Sequence, residues 1–467
     1  MRHRRLFSHL PPRLLRDERG SVAPLIGLMF LVLVGCIGIA IDTGRATMVR
    51  ARLVNALDAA GLAVAARLAT TDYNADAKKF VDANFAANFV GATVNTVTAK
   101  PNADKTVISL TATATMPTAF MKLFGKTSVD VTATTEVTRS SKGLEVVMVL
   151  DNTGSMDISN SMGPLKEASK LLVNQLFGDQ TTAKNLYVGL VPFSQAVNIG
   201  VTRALWTDLN TVTRPYYPVY WTGCVEERPS GYDVTDDIPS LIKKDTIFKS
   251  YYSPNSNSNN WIVSWWWSTY LNINYAPVQG QTGPGAFCPV TLTPMTNVKS
   301  TIVTGIDAMK AGGSTFINVG AVWGWRMLSP SWRGLWDGDM LTNKLPLDYN
   351  SKNMNKAVIL MTDGENTFNK NNYTSYGLLS DKRLGTDDII EANKVLDTKL
   401  STVCSSMKAK DIIVYTIAFN DPDDSTKSLL QNCATSTSFY FDAGDSESLK
   451  AAFTAIGGSL SNLRVSR

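Results

Sequence analysis

The stretch Val146-Val147-Met148-Val149-Leu150-Asp151-Asn152-Thr153-Gly154-Ser155-Met156 decides the fold. An unbroken apolar run empties into a short polar loop. The lack of alternation suits a central parallel strand covered on both faces. At its carboxyl end a carboxylate and two hydroxyls occupy every second position: Asp151, Thr153 and Ser155. Oxygen donors of that kind suit a hard divalent cation such as Mg²⁺ or Mn²⁺, and one carboxylate is too little charge to neutralise it. The rest of the site has to come from elsewhere in the chain or from a partner.

Outward from this loop, strands alternate with helices. The spacing predicts helices over 163–177, 298–309, 316–328, 387–407 and 446–456, and apolar strands over 186–193, 357–361 and 412–418. This is an α/β fold, a mostly parallel central sheet with helices on both faces, occupying residues 141–467. Ligands of such sheets bind outside the carboxyl ends of the strands. An insertion at about 200–294 interrupts it and holds six of the ten tryptophans: Trp206, Trp221, Trp261, Trp265, Trp266 and Trp267. It follows strand 186–193 and is expected on the same face as the 151–156 loop. Its aromatics form either a partner surface or a small core stapled by a disulfide.

Upstream, residues 22–41 carry no charge and, as a helix, span about 30 Å of hydrocarbon. Six arginines against Asp17 and Glu18 give the 1–20 segment a net +4 of the chain's +5. The positive-inside rule therefore puts residues 1–21 in the cytoplasm and the bulk of the chain outside. A cleaved signal peptide is the competing reading, but the apolar run is long for one and no A-x-A site follows. The helix continues from 45 to 68. Ala46, Val49, Leu53, Leu57, Ala60, Val64 and Leu68 form one apolar stripe, which packs either on this protein's next domain or, as a stalk, on other subunits. A helix over 75–89 and alternating strands over 93–99, 106–115 and 127–138 complete a small α+β region within 42–140.

Composition excludes several function classes. Charged residues are 18%, below the usual quarter, and little net charge lies beyond residue 20, so no basic face remains for nucleic acid. The two histidines are His3 and His9. Histidine-based triads and histidine-ligated zinc are therefore absent from the folded part. Cys36 lies in the apolar run, and Cys224, Cys288, Cys404 and Cys433 form an even set. In an oxidising compartment they favour the bridges Cys224–Cys288 and Cys404–Cys433, out of three pairings.

Two further stretches complete the oxygen-rich loop. Gly312-Gly313-Ser314-Thr315 opens the helix at 316, and strand 357–361 ends in Thr362-Asp363-Gly364-Glu365. Asp151-x-Thr153-x-Ser155, Gly313-Ser314-Thr315-x-Ile317-x-x-Gly320 and Thr362-Asp363-Gly364 together resemble the metal-ion-dependent adhesion site (MIDAS) of von Willebrand factor A (vWA) domains. That resemblance implies a Rossmann-like fold with Mg²⁺ at the top of the sheet, held by Asp151, Thr153, Ser155, Thr315 and Asp363. Threonine stands at 153, where the family more often has serine.

The N-terminus resembles a second group. Glu18-Arg19-Gly20-Ser21-Val22-Ala23-Pro24, the apolar helix, Ala40-Ile41-Asp42-x-Gly44-Arg45, and the later Trp323-Gly324-Trp325-Arg326-Met327-Leu328-Ser329-Pro330 look like TadG-like (TadE/G) proteins of Tad (Flp) pilus assembly. Related pseudopilins carry glutamate five residues after the cleavage glycine. Leu25 stands there, so an uncleaved anchor is expected. The expectation is a non-enzymatic protein of the bacterial inner membrane, its bulk periplasmic, whose metal captures an acidic side chain of a protein partner; other Tad components are candidate partners. A scaffold with a vestigial metal site is the alternative. A metal-dependent hydrolase using Asp151 and Asp363 is a weaker one, because no phosphate-cradling GxxxxGK[ST] occurs.

Overall fold

A computed structural model describes residues 22–66, 72–102, 107–138, 142–209, 221–253 and 283–464. The chain divides into two units, Met1–Ser140 and Ser141–Arg467.

In the first unit a single helix, α1 (Val22–Ala66), runs through both the apolar run and the striped segment. Leu25, Leu28, Phe30 and Leu33 are exposed, while Val49, Leu53, Leu57, Ala60 and Val64 are buried. The stripe packs against α2 (Tyr73–Asn84) and a three-stranded antiparallel sheet of β1 (Thr93–Pro101), β2 (Val107–Pro117) and β3 (Ser128–Thr138). It therefore serves its own unit; Leu68 lies outside the described residues. Asp72 caps α2, its Oδ1 accepting from the Asn74 and Ala75 amides at 3.0 Å. The helix stops five residues short of the expected end. Phe85 adopts extended backbone and packs into the core, and Asn88 and Val90 then turn the chain at φ 57° and 56°.

The second unit contains β4 (Gly143–Asp151), α3 (Met162–Phe177), β5 (Leu186–Phe193), β6 (Val197–Asn198), β7 (Cys224–Glu226), β8 (Lys249–Ser250) and β9 (Thr293–Thr296). Then come α4 (Lys299–Ala308), α5 (Ile317–Leu328), β10 (Met354–Thr362), α6 (Ile389–Ala409), β11 (Ile413–Phe419), α7 (Asp424–Cys433), β12 (Tyr440–Ala443) and α8 (Ser446–Arg464). The sheet order is β12-β11-β10-β4-β5-β6-β7-β8, with β9 also on β5. The first five strands are mutually parallel, and the inserted β6–β8 and β9 extend the edge antiparallel. β4 is central and buried throughout. Val147 and Val149 face a core formed with α5 and α6, and Val146, Met148 and Leu150 face one formed with α3, α4 and α8. This is the mixed, mostly parallel sheet with helices on both faces that the alternating sequence pattern implied.

The insertion is part of this unit's core. Trp206 stacks on Trp323 at 6.4 Å and stands edge-on to Trp332 and Trp336 at 5.1 and 4.9 Å. Trp221 joins the same core, while Cys224, Cys288, Ala196 and Tyr251 make a small satellite cluster. The four remaining insertion tryptophans lie outside the described residues. Cys224 is bonded to Cys288 and Cys404 to Cys433, which ties α6 to α7. Short elements escaped the sequence reading: β6, β7, β8 and β9 are two to four residues long, and neither α7 nor β12 carries a long periodic signal.

Candidate metal centre

Asp151 is the last residue of β4, and its position follows from register. β4 and β10 are parallel neighbours with Leu150 opposite Met361, so Asp151 and Thr362 end side by side and Asp363 lies one step further. The Thr362 hydroxyl donates to Asp151 Oδ2 at 2.7 Å, and the Thr153 amide donates to Asp151 Oδ1 at 2.7 Å. Thr153 and Ser155 hydroxyls share a hydrogen bond of 2.9 Å, and Ser155 Oγ donates to Asp363 Oδ1 at 2.5 Å. Four of the five metal-ligand candidates thus belong to one connected network.

Thr315 comes from the loop before α5 and is held beside that network by backbone bonds. Gly154 N donates to Gly313 O at 2.9 Å, and Gly312 N donates to Asn152 O at 2.8 Å. On the other side, Thr367 N donates to Thr315 O at 2.9 Å, which ties the loop to the segment after Asp363. Gly313 has φ 90°, and a Cβ there would lie 2.9 Å from Phe287 Cβ, so both conformation and space call for glycine. The first free amide of α5, Ile317 N, is capped by Asn366 Oδ1 at 2.8 Å.

The electrostatics are those of anions out of water. Asp151 is fully buried and Asp363 is 7% exposed. Burial first, then the Asp363 charge, pushes the Asp151 carboxyl up to about 7; burial also raises Asp363. The donor chemistry fits a hard divalent cation: oxygen only, two buried carboxylates that repel each other, and hydroxyls already converging on them. Among the described residues no group of three or more His, Cys, Asp or Glu is placed to hold a metal ion, so hydroxyls have to make up the donor number.

Sequence reasoning missed three contributors. Thr362 lay inside the quoted Thr-Asp-Gly stretch, but its hydroxyl was assigned no role. Ser159 Oγ reaches Asp363 Oδ2 at 3.4 Å, from the turn Ser155–Ile158 and its cap, where no spacing flags it. Gln195, just after β5, accepts from Ser314 N at 2.9 Å through Oε1, while its Nε2 donates to Tyr251 Oη at 3.2 Å. The insertion thereby braces the Thr315 loop, a contact between distant segments that no local pattern encodes.

No curated protein matches the chain in sequence. Residues 20–67 match the family described as "Putative Flp pilus-assembly TadE/G-like". Among solved structures, the vWF domain of the type V pili tip protein Mfa5 from Porphyromonas gingivalis is similar at TM-score 0.36 and 11% identity, over 70% of this chain and 97% of that one. The pilus adhesin SpaC from Lactobacillus rhamnosus GG is similar at TM-score 0.35 and 12% identity, over 79% of this chain and 34% of its own. Proximal thread matrix protein 1 of the mussel byssus, solved with a zinc-occupied MIDAS motif, is similar at TM-score 0.32 and 14% identity, over 68% of this chain and 47% of its own. The chain thus spans about a third of SpaC and half of the byssus protein. All three likenesses are distant. Residues 20–67 are a TadE/G-like region, and a separate α/β unit follows in the same chain.

Proposed function

We propose that this protein is a membrane-anchored, non-enzymatic binding protein of the bacterial envelope. Its α/β unit takes Mg²⁺ or Mn²⁺ at Asp151, Thr153, Ser155, Thr315 and Asp363, and thereby engages an acidic side chain of a protein partner during Tad (Flp) pilus assembly or adhesion. The observation that carries this reading is the hydrogen-bonded network running from Thr362 through Asp151, Thr153 and Ser155 to Asp363 at the carboxyl edge of two adjacent parallel strands. Two carboxylates match the charge of a divalent ion but leave its coordination incomplete, which suits capture of one more anionic oxygen. When bound, the ion supplies a positive centre for that oxygen. The chain's own residues fix the approach: Thr153 and Thr362 orient Asp151, Ser155 and Ser159 orient Asp363, and Gln195 holds the Thr315 loop. The TadE/G-like region supports the envelope location and the pilus process.

Chemical crosslinking of the full-length protein in membranes, with and without EDTA, tests the reading. A partner lost both on chelation and in Asp151→Asn supports it. Partners unchanged in both conditions favour the scaffold reading, in which the same hydrogen bonds hold the loops without an ion.

A further inference from the structure

Leu123 and Phe124 are large apolar side chains left 70% and 56% exposed on the connection between β2 and β3. The connection is a built turn. Leu123 N donates to Phe120 O at 3.0 Å, Gly125 N to Lys122 O at 3.1 Å and Lys126 N to Met121 O at 3.1 Å, with Gly125 at φ 84°. It is also fastened to α1. Asp42, 4% exposed, accepts from the Ala119, Phe120 and Met121 amides at 2.7, 2.9 and 2.8 Å, and Arg45 donates to Pro117 O at 3.3 Å.

The place of attachment is informative. Asp42 directly follows the uncharged 22–41 run. Beyond that anchor the turn reaches back along the helix: a Cβ on Gly38 would lie 2.7 Å from Phe120 Cβ, and one on Gly35 3.4 Å from Phe124 Cζ. Gly35 precedes Ile41 by six residues, about 9 Å of helix axis. The Phe124 ring therefore lies level with the apolar run, about two turns inside its end. Between turn and helix lies a wholly apolar groove of about 330 Å³, lined by Leu28, Leu31, Val32, Ile39, Met121 and Phe124. Lys122 and Lys126, both exposed, flank the apolar pair.

We propose that this turn inserts into the bilayer beside α1, with Leu123 and Phe124 among the upper acyl chains and Lys122 and Lys126 at the phosphate headgroups. Lipid is the occupant because the surface is continuous with the exposed apolar face of α1, it pairs apolar tips with flanking cations, and it sits where aromatic and basic anchors concentrate. The small domain is thus seated on the membrane by two elements rather than hung from one. This inference rests on reading α1 as a membrane anchor.

The test uses full-length protein in lipid nanodiscs, with an NBD fluorophore on one cysteine at a time: native Cys36, Leu123→Cys in a Cys36→Ala background, or Lys100→Cys in that background as an aqueous control, exposed at the end of the sheet far from the turn. Lipids carrying a nitroxide in the upper acyl chain are the quencher. Quenching at 36 and 123, but not 100, is expected. Quenching at 36 alone overturns the proposal and leaves the anchor standing. A blue-shifted but unquenched probe at 123 means that protein fills the groove, and also overturns it. Quenching at neither 36 nor 123 removes the anchor reading too.

Discussion

Ser155 Oγ donates to Asp363 Oδ1 at 2.5 Å across 208 positions of sequence. The bond joins the loop after β4 to the end of β10, and it exists because those strands are parallel neighbours in a fixed register. Both residues belong to a site with excess negative charge, from which the first two predictions follow.

Magnesium should stabilise the full-length protein. A ligand at a hundred times its Kd adds about 2.7 kcal/mol to a folded state that alone binds it, which corresponds to a rise of a few degrees in the unfolding midpoint. Asp151→Asn should abolish that rise without unfolding the protein, since asparagine still fits the buried position. Differential scanning calorimetry with and without Mg²⁺ checks this; no shift in wild type would count against the metal assignment.

The pH response should be anomalous after EDTA treatment. Asp151 and Asp363 are raised in the folded state, Asp151 to about 7. Between the ordinary carboxylate range and about 7 the folded state therefore holds protons that the unfolded state has released. The site's contribution to stability is present below that window, declines as pH rises through it and is lost above it. Asp151→Asn should remove much of this decline, so the midpoint difference between variant and wild type should widen from acid to pH 8. Metal affinity should tighten over the same window, because the ion displaces the proton.

The buried ion pair behind β4 makes a third prediction. Lys356 Nζ donates to Glu145 Oε2 and, at 3.0 Å, to Leu328 O, while Leu347 N donates to Glu145 Oε1 at 2.8 Å. Lys356→Met should cost about 3–5 kcal/mol by stranding a buried carboxylate. The double variant Glu145→Met/Lys356→Met should recover a large part of that loss in urea unfolding.

Gly320 sets how closely α5 approaches the sheet. A Cβ there would lie 2.5 Å from Phe193 Cδ1 and 2.9 Å from Val149 Cγ1. Gly320→Ala should cost about 1–3 kcal/mol through overpacking. Because α5 starts two residues after Thr315, it should also weaken Mg²⁺ binding while every candidate ligand is retained; urea unfolding reads the first effect and calorimetric titration the second.

The layered architecture was legible because its signals are local. The Val146–Leu150 run, the 357–361 run and the amphipathic helices each declare their own burial. The Asp151, Thr315 and Asp363 loops were legible for the same reason: chemistry-bearing residues stand directly after apolar strands or before a helix. What escaped depends on pairing between distant segments. β6, β7 and β8 are too short for a period to show, and they exist because β5 offers an edge. Gln195 and Ser159 reach the site by side-chain geometry, which residue spacing does not carry. The insertion's Trp206 illustrates the limit: composition reveals aromatic mass, whereas stacking on Trp323 decides that it is core.

The antiparallel pairing in the first unit has a mechanical consequence. α1 meets the β2–β3 turn near Gly38 and the far end of β3 near Gly61, whose Cβ would lie 2.5 Å from Val137 Cγ2. A pull on Thr138 directed away from the N-terminal part of α1, and resisted there, acts along the length of β3. The pairs from Ser128↔Pro117 to Thr138↔Val107 are then loaded together, in shear, rather than peeled one after another. Force in that direction therefore meets the whole β2–β3 register at once.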